Sequence, residues 1–328
     1  MKYDLKGRLC PAVLLVCLTA AILSGCSQPE LENTYRFPES GLLSLITDDQ
    51  GLRPEGYAAD LCVPEADADL NTDGVNAKAF GLFDLSGAEV LSQHNIYDKV
   101  YPASTTKILT CLIALERGDP DEMVTVPEEA RITVSGSSMA DLQPGDQLPL
   151  RDLLYGLKVP SGNDAAVAIA HHISGDVEGF ASVMNSRAKQ LGATHSHFVN
   201  PHGLPDEEHY VTVYDMYLIF QEAMKNPEFR KIARTAEYTC AVEHPADLSK
   251  NRDVTWTSGN AFYSGKFSFA DNMEILCGKT GHTNAAGFCL VLGEKDAAGK
   301  QYVSIIMNSP IYEQMYVSMR TLAAKSQQ

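Results

Sequence analysis

The sequence predicts a mixed α/β (α+β) fold, in which one antiparallel sheet is flanked by helices and a helical lobe is inserted in the middle of the chain. Strand-like segments occur near both ends of the chain, and helical periodicity fills the region between them. The late strands are joined by a short turn at 296–300, so they must be antiparallel. Early and late strands share one sheet most simply if the middle of the chain is an insertion. The 328 residues, 45% hydrophobic and 21% charged, suffice for one large globular domain.

Apolar runs and turn residues mark the strands of this sheet. Residues 77–85 and 89–94 are expected to form a hairpin around Ser86-Gly87. Three more strands are expected after the helical region, at 274–280, 287–293 and 302–308. A last helix is expected at about 311–324.

The helices are predicted from apolar residues that recur at helical spacing. One helix runs from Ser104 to Arg117 and ends at Gly118. The inserted lobe, at about 118–230, contains further segments of this kind, at 150–157, 164–173 and 180–191. Thr212 and Asp215 resemble a capping box that begins another helix in the lobe.

The first 25 residues are predicted to be a lipoprotein signal peptide. Positive residues precede an apolar run, 9–23, that is shorter than the about 20 residues of a membrane-spanning helix. The run ends in Leu23-Ser24-Gly25-Cys26, which resembles a bacterial lipobox. Cleavage before Cys26 would place a diacylglycerol on its thiol and hold the protein by lipid on the extracytoplasmic face of the bacterial cell membrane. The alternative is an ordinary secretory signal with an incidental cysteine.

Residues 26–70 are predicted to be a tether, and residues 71–328 the folded domain. The tether region lacks clear periodicity and is rich in Asp, Glu, Pro and Gly. The net charge of −16 excludes nucleic acid and anionic lipid surfaces as partners bound through bulk charge. An anionic substrate must therefore be held by local cations.

The cysteines and histidines predict neither a disulfide framework nor a metal site. Five of the eight cysteines follow Cys26, and they are unclustered. Cys277 and Cys289 are expected on neighbouring strands, so the sequence allows one disulfide between them. The histidines match no metal-binding pattern, so we expect them on the surface and in loops, and we expect no metal and no cofactor.

Three short motifs carry the chemistry of the chain. They are Ser104-Thr105-Thr106-Lys107, Ser161-Gly162-Asn163 and Lys279-Thr280-Gly281. Alone each is weak, because Ser104 and Ser161 could be helix caps and Lys107 a solvated helix residue. Together they supply a nucleophile, an amine base, a proton relay and an anion-binding cation, as acyl transfer through a serine ester requires.

The chemistry of the first motif depends on the protonation of its lysine. Lys107 lies one helical turn from Ser104, so the two side chains share a face. To act as a base, Lys107 must be neutral part of the time. Burial beside another cation lowers the pKa of a lysine, and Lys279 is the expected neighbour.

The motif set resembles that of the serine penicillin-binding proteins and β-lactamases, most closely the low-molecular-weight D-alanyl-D-alanine carboxypeptidases. The resemblance spans about 77–308 and includes residues around the motifs. The stretches that carry it are Pro102-Ala103-Ser104-Thr105-Thr106-Lys107, Val159-Pro160-Ser161-Gly162-Asn163-Asp164-Ala165-Ala166, Phe198-Val199-Asn200-Pro201-His202-Gly203-Leu204 and Lys279-Thr280-Gly281-His282-Thr283. It implies the β-lactamase/transpeptidase-like fold.

The resemblance also implies a role for each motif residue. Ser104 would form the acyl ester, Lys107 would accept its proton, and Ser161 would pass a proton to the leaving group. Asn163 would bond the substrate backbone. The third motif would hold the substrate carboxylate through Lys279 and Thr280, with Gly281 beside them. The backbone N–H groups of Ser104 and His282 would form the oxyanion hole.

The implied reaction removes the terminal D-alanine from peptidoglycan stem pentapeptides, and β-lactams, which resemble that dipeptide, would acylate Ser104. Many relatives carry a second domain and a C-terminal amphipathic anchor, which are not expected here. One alternative is a β-lactamase. The Glu-x-x-Leu-Asn pattern of such enzymes is not visible, but the acidic residues at 206–208 could still supply a general base for hydrolysis of the ester. A penicillin-binding sensor or an inactive scaffold is the other, and the intact motifs argue against it.

Overall fold

A computed structural model describes residues 60–64 and 68–327 of the chain. The predicted signal peptide, the predicted lipidation site Cys26 and most of the predicted tether lie outside the described residues. The described strands are β1 (Ala79–Asp84), β2 (Glu89–His94), β3 (Met123–Thr125), β4 (Gln147–Pro149), β5 (Glu237–Val242), β6 (Arg252–Thr257), β7 (Met273–Thr283), β8 (Gly287–Asp296) and β9 (Gln301–Ser309). The described α-helices are α1 (Lys107–Arg117), α2 (Leu150–Lys158), α3 (Asn163–Ser174), α4 (Val177–Gln190), α5 (Val213–Lys225), α6 (Pro227–Arg234) and α7 (Tyr312–Ala324).

The domain contains one five-stranded sheet, in which all adjacent strands are antiparallel. Its strand order is β2-β1-β9-β8-β7. The amino-terminal hairpin therefore lies beside the carboxy-terminal strand β9, and helices α2 to α6 are inserted between β2 and β7. This arrangement confirms the predicted antiparallel sheet with flanking helices and an inserted helical lobe.

Two small hairpins, one within the lobe and one that follows it in the chain, were not predicted. Strands β3 and β4 pair with each other, and so do β5 and β6. Their strands are short or expose alternate residues, so their apolar signal is weak. The second hairpin is tied to the lobe by Trp256, whose indole N–H donates to the Ala140 carbonyl at 2.9 Å.

The folded unit begins before the predicted boundary at residue 71. Cys62 is fully buried in the main core, and its backbone N–H donates to the Tyr217 hydroxyl at 2.9 Å. Leu70 and Gln93 exchange two backbone hydrogen bonds, of 3.0 and 2.9 Å. Part of the segment predicted as a tether is therefore held against the domain.

The start of helix α5 has only half of the predicted capping box. The Thr212 hydroxyl accepts from the Asp215 backbone N–H at 3.0 Å, as a helix cap does. The Asp215 carboxylate instead accepts from the backbone N–H of His195 and the hydroxyl of Ser196, at 2.8 and 2.7 Å. That carboxylate therefore fixes the loop before the helix.

The disulfide left open between Cys277 and Cys289 is excluded by the register of the sheet. In the pairing of β7 with β8, Cys277 lies opposite Gly293 and Cys289 lies opposite Gly281. Both are buried free thiols within the described part of the chain. The described residues contain no cluster of three or more potential metal ligands. Over the same residues, no helix is both long enough and apolar enough to span a bilayer.

Candidate active site

The three motifs meet at one cleft between the edge strand β7 and the helical lobe. A cavity of about 250 Å³ is lined by Ser104, Ser161 and four consecutive residues of β7, 279–282. A second cavity, of about 450 Å³, adjoins it and is lined by Ser104, Asn163 and His282. The fold thus brings together all eight residues that the sequence predicted for the site.

Ser104 lies on a 3₁₀ turn, Ala103–Thr106, and not inside the predicted α-helix, which begins at Lys107. Two glycines let other backbone segments approach this turn. At Gly203, with φ of +90°, a Cβ atom would lie 1.8 Å from the Ala103 carbonyl oxygen. At Gly281 a Cβ atom would lie 3.0 Å from the Ser104 backbone nitrogen. Gly281 of the third motif therefore sets how closely β7 approaches Ser104.

Lys107 is fully buried, and its Nζ contacts three oxygen acceptors. These are the Ser104 Oγ at 3.0 Å, the Asn163 Oδ1 at 2.6 Å and the His202 carbonyl at 2.8 Å. A neutral amine has two hydrogens and one lone pair. It can donate to Asn163 and His202 and still accept the Ser104 proton, which is the geometry that a general base needs.

The environment of Lys107 makes that neutral form accessible. Burial lowers the pKa of Lys107 to about 7; Asp164 opposes this shift, and the neighbouring Lys158 adds to it. The sequence analysis predicted Lys279 as the neighbouring cation, and its charge does interact with that of Lys107; Lys158 is an additional neighbour that was not predicted. For Lys279 itself, burial and then the charges of Lys107 and Lys158 hold the pKa well below its ordinary value.

The third motif presents a buried lysine amine at the edge of the sheet. Lys279 is 4% exposed, and its Nζ donates to the Thr280 carbonyl at 2.8 Å. The exposed His282 ring stacks on Phe288, with centroids 4.1 Å apart. Burial strengthens the field of a charged group at this position, which suits capture of an anion.

The second motif supplies one unpartnered hydroxyl and one amide. The Ser161 Oγ is buried and finds no hydrogen-bond partner among the described residues, and the residue has a left-handed φ of +64°. A strained backbone and a free hydroxyl facing a cavity are typical of functional sites. Asn163 uses its Oδ1 for Lys107, so its NH₂ group is what remains for a substrate.

Three residues near the site were missed or misjudged from the sequence. Asp164, next to Asn163, is fully buried, and its carboxylate accepts from the backbone N–H groups of Ala140 and Leu142 at 2.8–3.1 Å. His202 and His209 were expected on the surface, but they are 9% and 1% exposed. Only the position of each histidine beside a motif-like stretch could have signalled this.

The two buried histidines are neutral structural groups. The Nδ1 of His209 accepts from the Val199 backbone N–H at 3.1 Å, so its Nε2 donates to the Thr106 hydroxyl at 2.9 Å. Burial and, next to it, the charge of Lys107 lower the pKa of His202 to about 3, and burial chiefly lowers that of His209 to about 4. His209 thus holds the turn that carries Ser104, and His202 supplies the carbonyl that accepts from Lys107.

The sheet order, the inserted lobe and the serine–lysine pair define the class of penicillin-binding, DD-peptidase-like folds. The crystal structure of the Streptomyces K15 DD-transpeptidase superposes with a TM-score of 0.69 at 26% identity, covering 76% of this chain and 97% of that one. The chain belongs to the D-alanyl-D-alanine carboxypeptidase family, whose model matches residues 66–310.

Curated members of this family support the assignment. Carboxypeptidase DacF of Bacillus subtilis is 33% identical over 228 residues, which cover 67% of this chain and 54% of DacF. Carboxypeptidase DacC of Escherichia coli is 33% identical over 237 residues, which cover 69% of this chain and 55% of DacC. The chain thus spans little more than half the length of these relatives.

Proposed function

We propose that this protein is a serine-type D-alanyl-D-alanine carboxypeptidase, which removes the terminal D-alanine from peptidoglycan stem pentapeptides. The observation that carries the proposal is the contact between the buried Lys107 Nζ and the Ser104 Oγ, at 3.0 Å. The names of the relatives and the family agree with it. The same site would bind β-lactams covalently.

Acylation begins when the Lys107 amine takes the proton of the Ser104 hydroxyl. The Ser104 Oγ then attacks the carbonyl carbon of the penultimate D-alanine and forms a tetrahedral oxyanion, which the backbone N–H groups of Ser104 and His282 stabilise. The C–N bond breaks, and the nitrogen of the terminal D-alanine leaves with a proton passed through the Ser161 hydroxyl. Lys279 and Thr280 hold the carboxylate of the departing residue.

Deacylation returns the enzyme to its starting state. A water molecule gives a proton to the base, and its oxygen attacks the ester carbonyl. The Ser104 Oγ leaves and regains a proton, which releases the shortened peptide. A β-lactam follows the first step, because its ring amide opens onto Ser104, but the amine stays attached to the acyl group. It therefore blocks the site until the ester is hydrolysed.

The position of the acidic loop disfavours the β-lactamase alternative. Glu207 and Glu208 line a different cleft, with Lys99 and Tyr210, which does not include Ser104. Asp206 accepts from the Glu208 backbone N–H at 2.8 Å and so serves its own loop. None of these carboxylates is placed to direct water at an ester on Ser104.

The direct test is incubation with a stem pentapeptide, followed by mass spectrometry of the product. We expect loss of one D-alanine from the wild type and no loss from Ser104→Ala. A wild type that leaves pentapeptide intact but rapidly hydrolyses penicillin would establish a β-lactamase instead. Transfer of the acyl group to an added amino acid would establish a transpeptidase.

We further propose that a lipid on Cys26 anchors the protein to the extracytoplasmic face of the cell membrane. The support is Leu23-Ser24-Gly25-Cys26 after a short apolar run, together with a net charge of −16 that opposes attraction to anionic lipid. If residues 1–26 are replaced by a simple secretory signal, we expect soluble, active protein outside the membrane. Retention on washed membranes would contradict the proposal.

A further inference from the structure

A third buried lysine, Lys158, lines the same cavity as Ser104, Ser161 and Lys279. Lys158 is the last residue of helix α2, three positions before Ser161, and only 5% of it is exposed. Its Nζ is buried and finds no hydrogen-bond partner anywhere in the described part of the chain. A buried ammonium group without a hydrogen-bond partner destabilises the folded state, so a functional role would explain why it is there.

The surroundings of Lys158 contain no anion that would account for its position. Its Nζ lies 4.8 Å from the centre of the Phe229 ring on α6. The groups that interact with its charge are two buried free thiols, Cys111 on α1 and Cys277 on β7. Burial raises the pKa of both thiols to about 12, so they are neutral at physiological pH. No ion pair therefore holds Lys158 in place.

The charge of Lys158 acts instead on the catalytic lysines. It lowers the pKa of both Lys107 and Lys279, and Asp164 is the opposing charge at Lys107. Burial lowers the pKa of Lys158 itself to about 8, so it stays mostly protonated at pH 7. The other titratable groups that interact with Lys107 are Lys279, whose own pKa is held well below its ordinary value, and His202 and His209, which are neutral at this pH.

We propose that Lys158 is a positioning residue of this site, whose buried ammonium group favours the neutral, proton-accepting form of Lys107. The inference rests on the proposed function of Ser104 and Lys107. Lys158 lines the cavity that also contains Ser104, but its buried Nζ makes no hydrogen bond to the nucleophile or to any other described residue. It acts through Lys107, because a nearby positive charge disfavours a second one in a medium of low dielectric constant.

The test measures the rate of acylation by a fluorescent penicillin as a function of pH. Lys158→Met removes the charge and keeps a side chain of similar length. Without the charge Lys107 holds its proton more strongly, so the midpoint of the pH profile moves up by about 0.5–1 pH unit. At pH 6 acylation slows about 3- to 10-fold, and above pH 9 it matches the wild type.

Two further variants separate charge from packing. Lys158→Arg keeps a cation, so its midpoint stays with the wild type. Cys111→Ala disturbs the same region of the core without changing a charge, so its midpoint also stays. Since Lys158→Met removes an unpartnered buried charge, its melting temperature equals or exceeds that of the wild type.

The outcomes distinguish this inference from the proposed function. A wild type that is not labelled by penicillin contradicts the proposed function. A labelled wild type with an unmoved midpoint in Lys158→Met overturns the inference alone. The inference also fails if Lys158→Met does not fold or melts well below the wild type, because Lys158 would then be a packing residue. The inference fails as well if Cys111→Ala moves the midpoint as far as Lys158→Met does, because a change in packing would then explain the shift.

Discussion

At the scale of single residues, the site depends on lysine side chains that are buried without a carboxylate partner. Lys107 is surrounded by oxygen acceptors and is removed from water, so its amine and ammonium forms are close in free energy. A solvated lysine on a helix surface would stay protonated at neutral pH and could not accept a proton from Ser104. Burial thus gives Lys107 the neutral form that its proposed role as a base requires.

The pKa of Lys107 predicts the pH dependence of acylation. Because Lys107 must be neutral to act, the rate of penicillin acylation is expected to rise with pH through about 7. Well below this pH, each further decrease of one pH unit lowers the rate about tenfold. Stopped-flow or gel-based labelling between pH 5 and 9 measures it. A rate that is flat from pH 5 to 9 would show that another group is the base.

Replacement of Lys107 by arginine tests the same role in a different way. Arginine keeps its proton at every accessible pH, and its planar fork cannot match the three acceptors around Nζ. We expect Lys107→Arg to lose acylation by about a thousandfold or more, which is within the range for removal of a general base. Lys279→Arg is the comparison, and it should mainly weaken substrate capture. Normal acylation by Lys107→Arg would contradict the assignment.

Glu294 gives a residue-scale prediction about stability. It is fully buried on β8, and one carboxyl oxygen accepts from the Ser304 hydroxyl. Burial raises its pKa from 4.5 to about 8, so the folded protein holds a proton there that the unfolded chain releases above about pH 4.5. Stability contributed by this proton is therefore present at low pH and is lost as pH rises from about 4.5 to 8.

The variant Glu294→Gln removes this dependence, because glutamine is neutral at every pH. As pH rises from 5 to 8, we expect the wild type to lose about 2–4 kcal/mol of unfolding free energy that the variant keeps. Urea unfolding at the two pH values measures the difference. Parallel changes in wild type and variant would mean that Glu294 does not titrate in this range.

At the scale of elements, the site is a contact between the edge strand β7 and the turn 103–106. Gly281 lies where a side chain would press on the backbone nitrogens of Ser104 and Thr105, at 3.0 and 3.1 Å. A side chain at this position would displace the turn that carries Ser104, so the geometry of the proposed oxyanion site depends on this glycine.

The variant Gly281→Ala is expected to push the turn away from β7 by a few tenths of an ångström. Such a displacement misplaces Ser104, so we expect acylation to fall about 10- to 100-fold. Gly299→Ala is the matched control. Its φ of +87° makes alanine costly for the backbone there, in a turn with open space around it, so it reports the effect of general destabilisation without a clash at the site. Equal losses of activity in both variants would indicate general destabilisation instead of a local effect.

At the scale of the whole molecule, the sheet joins segments from both ends of the described chain. Strand β1 pairs with β9, and the segment around Cys62 packs on the core near Tyr217. This segment was predicted as a tether because its composition is polar and without period. One buried cysteine and one bridge at Leu70 do not create a periodic signal, although they fix the chain to the domain.

Two truncated chains test this contribution. A chain that begins at residue 59 keeps the contacts of Cys62 and Leu70, whereas one that begins at residue 72 loses them. We expect the shorter chain to be less stable by about 2–4 kcal/mol, the cost of removing several buried groups. Thermal unfolding of the two chains measures it. Equal melting temperatures would show that the segment contributes nothing.

The long strands, helix α1 and the motif residues could be predicted from the sequence, whereas the short hairpins and some buried neighbours of Lys107 could not. The long apolar strands β7, β8 and β9 and the amphipathic helix α1 carry periodic signals, so their types and approximate bounds were correct. The short hairpins carry little signal, because tertiary contacts such as that of Trp256 hold them. The three motifs identified the residues around Ser104. The positions of Lys158 and His202 beside Lys107 depend on packing between distant elements, which no local pattern encodes.

The central claim is that Ser104 is the nucleophile of an acyl-transfer site. The most direct measurement is to trap the full-length protein with penicillin and locate the adduct by peptide mass spectrometry. The account predicts one penicilloyl group per chain, on Ser104, and no adduct in Ser104→Ala. An adduct on another residue, or labelling that persists in Ser104→Ala, would contradict it.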